Sequence, residues 1–121
     1  MNQTGHSAPR LTRERALAAV EGDMGLLREL VAIFAEDAPS MLDLLSQAIE
    51  SGSAASVGDA AHALKGSVAV FGAEAATALA YALEREGRSG RVELAPELFL
   101  RLRAEIDAVL AELAAWVGTA A

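Results

Sequence analysis

The chain has 121 residues, no cysteine, and 17 acidic against 10 basic side chains, for a formal charge of −7 at pH 7. That length sets a single domain with one modest core. The acidic balance argues against nucleic acid or an anionic membrane surface as partner, and the lack of cysteine removes disulfide frameworks and thiolate chemistry.

Hydrophobic residues make up 53% of the chain, enough to build that core, and many of them are alanines that suit closely packed helices. No apolar run approaches the ~20 residues of a membrane span. The opening Met-Asn-Gln-Thr-Gly-His-Ser-Ala-Pro lacks the apolar centre of a signal peptide. A cytoplasmic protein is expected.

Residues 1–10 read as a disordered tail that carries His6. A short helix is predicted from Thr12, an N-cap candidate, to about Val20. Gly22 breaks it and Asp23 can cap the next. From Met24, apolar residues fall at Leu27, Leu30, Val31, Phe34, Ala38, Met41, Leu42, Leu45 and Ile49. The helical phase survives Pro39, which predicts one long kinked helix over 24–50 rather than two helices broken near Asp37. Ser51-Gly52-Ser53 is a turn, with Ser53 as cap for a helix running to about Phe71 and ended by Gly72. The next helix carries Ala76, Leu79, Ala80 and Leu83 and stops near Gly87. After the loop Arg88-Ser89-Gly90, a last helix uses Leu94, Leu98, Leu102, Ile106, Val109, Leu113 and Trp116, with Pro96 in its first turn. No strand pattern or internal repeat is present. The expected fold is all-α, an antiparallel four-helix bundle over 11–118 with a short leading helix.

His62 is the residue that carries chemistry. At about 100° per residue, Val57, Ala60, Ala61, Leu64, Val68 and Phe71 gather on one face of its helix. His62 points the opposite way, among Gly58, Asp59, Lys65, Gly66 and Ala69. Gly58 and Gly66 lie one turn before and after it. Each glycine costs roughly 1 kcal/mol relative to alanine in a helix interior. On a solvent face no packing need explains that cost; a need for bare backbone beside the imidazole does.

Several chemistries compete for this site. Asp59 and His62 have the acidic-x-x-His spacing of carboxylate-bridged metal bundles, but those sites face inward and need further ligands. Ser67 lies at the edge of the core face, out of line with an outward His62 for nucleophilic hydrolysis. No glycine-rich loop joins a strand to a helix, so no nucleotide site is expected. What remains is covalent catalysis by the imidazole itself. A neutral imidazole can attack a phosphoryl group, Lys65 can offset the anionic product, and Gly66 leaves room for it.

His62-Ala63-Leu64-Lys65-Gly66-Ser67, continuing to Phe71-Gly72-Ala73, resembles the signature of histidine-containing phosphotransfer (HPt) domains of two-component phosphorelays. Gly22-Asp23, Phe34 followed by Pro39, and Leu83-Glu84 before Gly90 are similar to the family pattern, and the likeness spans about residues 12–117. The resemblance implies that His62 accepts the phosphoryl group through its outer ring nitrogen. Lys65 would stabilise that group, Gly66 give it access, and Ser67 hold the site by hydrogen bonding or serve only as a small packing residue. The implied partner is a response-regulator receiver domain or hybrid sensor kinase, whose aspartate and Mg2+ exchange the phosphoryl group with His62. The chain itself would bind no cofactor and have no autonomous kinase activity. Gly58, Asp59, Ala69 and Val70, with part of the 24–50 helix, would form the docking surface of a monomer. The phosphorylated domain of chemotaxis-type kinases has a similar His-x-x-Lys-Gly run, but no kinase module is seen in these residues. A non-catalytic helical adaptor is the competing class, and would need only the bundle surface.

Overall fold

The computed structural model describes residues 11–118; the predicted tail and His6 lie outside them. Five helices are present: α1 (Arg13–Ala19), α2 (Met24–Ser51), α3 (Ala54–Ala69), α4 (Glu74–Arg88) and α5 (Ala95–Val117). No strand occurs among the described residues. Helices α2 to α5 form the four-helix bundle, each packed on its chain neighbour, with α2 closing the ring against α5. Short connections make successive helices antiparallel.

The helix boundaries follow local chemistry. The Asp23 carboxylate accepts from the Leu26 N–H at 3.0 Å and the Ser53 hydroxyl from the Ser56 N–H at 3.3 Å, each satisfying an orphan donor of the first turn. At the other end of α2, Gly52 takes the left-handed conformation (φ 70°), so the chain reverses without a Cβ penalty. Pro39 sits inside α2, which continues through it as one helix. The missing proline N–H leaves the Ala35 carbonyl without a helical donor, and both residues are exposed, where water can serve.

Leu27, Leu45, Leu64, Leu83, Leu102, Ile106 and Leu113 are fully buried at the bundle centre, at the three-and-four spacing read from the sequence. Leu94 departs from that reading: it is the N-cap of α5 and exposed, and Ala95 takes the buried place. The leading helix closes one end. Gly72 has φ 67°, and a Cβ there would sit 2.8 Å from the Thr12 Cβ, so both backbone conformation and the approach of the α1 entry require glycine. Arg13 stacks on the Trp116 ring at 5.8 Å, tying α1 to α5.

Candidate functional site

The site is built across α3 and α4, the most closely packed helix pair. Gly87 of α4 is buried against α3: a Cβ on it would lie 2.4 Å from the Gly58 nitrogen and 2.6 Å from the Ala54 oxygen. Both neighbours are backbone and cannot yield. Gly58 is buried too, facing Gly87 and the Arg88 side chain. This corrects one expectation: Gly58 has a packing reason for being glycine, and it is not available to a partner. Gly87 lies in the last turn of α4, which ends at Arg88, as read from the sequence, and it is also the crossing point with α3.

The close crossing brings Glu84 beneath His62. His62 stands 61% exposed, while Glu84 is only 12% exposed. The His62 Nδ1 lies 2.8 Å from Glu84 Oε2, and the Lys65 ammonium forms an ion pair with Glu84 Oε1 at 2.7 Å. The Lys65 ammonium holds the Glu84 carboxyl below the usual carboxylate range; partial burial opposes this, and the His62 hydrogen bond adds to the lowering. Glu84 is therefore a carboxylate at neutral pH and can only accept. The neutral imidazole must then carry its proton on Nδ1, which leaves the lone pair on Nε2, the ring nitrogen not engaged by Glu84.

Lys65 is steered on a second side, with its ammonium 5.1 Å from the Tyr81 ring centroid. An ammonium has three donors, so the bond to Glu84 leaves others for an arriving anion. Gly66 is exposed, and a Cβ there would meet nothing within 4 Å. The space beside His62 is thus open, as the sequence suggested. Ser67 donates to the Ala63 carbonyl of its own helix at 3.2 Å and touches the Met41 sulfur of α2 at 3.9 Å. It lies at the α2–α3 seam and makes no described hydrogen bond to His62. Asp59 and His62, the pair at metal-like spacing, turn to separate partners: Asp59 pairs with Arg88 at 2.8 Å and His62 with Glu84.

Ala69 and Val70 are exposed at the end of α3. Val70 borders a shallow groove with Leu30, Ile33, Phe34, Asp37, Ser67 and Phe71. Glu84 is the site residue that the sequence reading left without a role. It appeared only within the Leu83-Glu84 pattern, because a lone carboxylate gives no sign of which histidine a neighbouring helix will set above it.

The Hpt domain model matches residues 29–112 of the chain. The chain belongs to the Hpt domain family. It is a histidine phosphotransfer module of phosphorelay signalling, and Hpt domains work with receiver domains and kinases. Its fold is similar to the crystal structure of histidine-containing phosphotransfer protein B (HptB) from Pseudomonas aeruginosa PAO1, with a TM-score of 0.85 and 25% identity over 93% of this chain and 98% of that one. No curated protein matches the chain. No described helix of this Hpt domain is long and apolar enough to cross a membrane.

Proposed function

We propose that His62 is the phospho-accepting residue and that it exchanges the phosphoryl group with an aspartate of a receiver domain through Nε2. The observation that carries this reading is the Glu84 tether on Nδ1 beneath a largely exposed ring. Of the two histidines in the sequence, His62 alone lies within the span that matches the family.

The Nε2 lone pair attacks the phosphorus of the aspartyl phosphate. The N–P bond forms as the bond to the aspartyl oxygen breaks, and the aspartate leaves as a carboxylate. The Nδ1 proton stays in place, so the product ring is an imidazolium whose charge Glu84 balances. Lys65 reaches the phosphoryl oxygens with its remaining donors, and the open space at Gly66 admits the donor domain. We assign the divalent cation to the receiver domain and not to this chain. The docking surface joins Ala69 and Val70, at the end of the helix that carries His62, to Ile33 and the half-buried Leu30 of α2.

Phosphoryl transfer from a labelled, Mg2+-loaded receiver domain tests the reading. Acid-labile, base-stable label on the wild type and none on His62→Gln is expected. Equal labelling of the two proteins would overturn it.

A further inference from the structure

Arg88 is a second cation at the site, and its placement is unusual. Its guanidinium lies across the bare Cα of Gly58, where a Cβ would be 3.2 Å from Nη1 and 3.5 Å from Cδ and Cζ. Nη1 donates to Asp59 Oδ1 at 2.8 Å. Nη2 stands 3.8 Å from Glu84 Oε2, beyond hydrogen-bond reach. That same oxygen receives His62 Nδ1 at 2.8 Å.

Glu84 and Arg88 are four residues apart on one helix, the spacing at which such a pair ordinarily closes. Here it is stretched, and the inter-helical bond to Asp59 takes the guanidinium instead. We propose that Asp59 is a positioning residue: by holding Arg88 across the α3–α4 crossing, it keeps the guanidinium off Glu84 Oε2 and reserves that oxygen for His62 Nδ1. Charge-assisted bonds are the stronger ones, so an Arg88 released from Asp59 closes on Glu84 and outcompetes a neutral imidazole N–H. The imidazole proton then moves to Nε2 in a larger share of molecules, and in that tautomer the outward nitrogen has no lone pair. Gly58 leaves the guanidinium its path to Asp59: a Cβ there would stand 3.2 Å from Nη1, and the arginine would have to give by a few tenths of an ångström. The consequence for transfer rests on Nε2 being the acceptor; the tautomer balance does not.

The test is nitrogen NMR of the His62 ring in the full chain, with no phosphoryl donor, at a pH about two units above the ordinary imidazole pKa. Wild type is expected to hold the Nδ1–H tautomer. Asp59→Asn shifts the population toward Nε2–H and slows phosphoryl acceptance from a labelled receiver about threefold to tenfold, whereas Asp59→Asn combined with Arg88→Ala restores Nδ1–H. Circular dichroism establishes that each variant is folded. An unchanged tautomer in Asp59→Asn overturns the proposal. So does a double variant shifted as far as the single one, because Asp59 would then act by its own charge and not through Arg88. Should the tautomers behave as stated while wild type takes no label, the positioning role stands and the acceptor reading falls.

Discussion

Glu84 links three properties of His62: which nitrogen bears the proton, where the ring stands, and how its charge is balanced after transfer. Because pairing depresses the Glu84 pKa in the fold, its contribution to stability is fully present above the ordinary carboxylate value of about 4.3 and is lost as pH falls through the depressed value. Glu84→Gln keeps an acceptor for Nδ1–H but loses the charge that holds Lys65. We expect it to flatten the acid limb of the stability profile, by about 0.5–1 kcal/mol given the solvent exposure of His62, and to slow phosphoryl acceptance. Denaturant unfolding between pH 3 and 7 measures the first effect; an acid limb as steep as wild type would contradict it. Gly66 poses the opposite trade. A methyl group there meets nothing, so Gly66→Ala should stabilise α3 by roughly 0.5–1 kcal/mol while obstructing the donor and slowing transfer on the order of tenfold. A variant that is both more stable and equally fast would show that the open space has no role.

The sequence made the ends of the helices legible, because capping is local: Asp23, Ser53, Gly52 and Gly72 each do what their residue type predicts from neighbours a few positions away. The continuity of α2 through Pro39 was legible for a different reason, the unbroken phase of its buried face from Leu27, Val31 and Phe34 through Ala38 to Leu45. The roles of Gly58 and Gly66 were not. Within α3 alone they are symmetric, one turn to either side of His62, and only the crossing of α4 over one of them makes Gly58 a packing residue and leaves Gly66 a bare one. Glu84 escaped notice for the same reason, since its meaning depends on a contact between helices. Gly87→Ala tests this crossing. The added methyl meets α3 backbone at 2.4 Å, so the helices must separate, at a cost of about 1–3 kcal/mol. Transfer should fall as Glu84 is drawn from His62. Wild-type stability and rate would show that the crossing does not position the site.

The bundle presents its chemistry on one side and its partner surface beside it. Ile33 is 55% exposed and Val70 is also exposed, and both line the groove between α2 and the end of α3, the helix that carries His62. Ile33→Asp should leave folding within about 0.5 kcal/mol of wild type and weaken receiver binding by about tenfold or more, read by titration calorimetry. Undiminished binding would move the docking surface elsewhere. The net charge of −7 forecast neither this patch nor the cations of Lys65 and Arg88 gathered around one carboxylate, because charge balance averages over a surface that the fold divides. The account as a whole turns on one nitrogen. Heteronuclear NMR of the protein after incubation with a phosphorylated receiver locates the phosphoryl group directly. We predict a nitrogen–phosphorus coupling at His62 Nε2 with the proton retained on Nδ1; a phosphoryl group on Nδ1, on His6, or on any other side chain would contradict it.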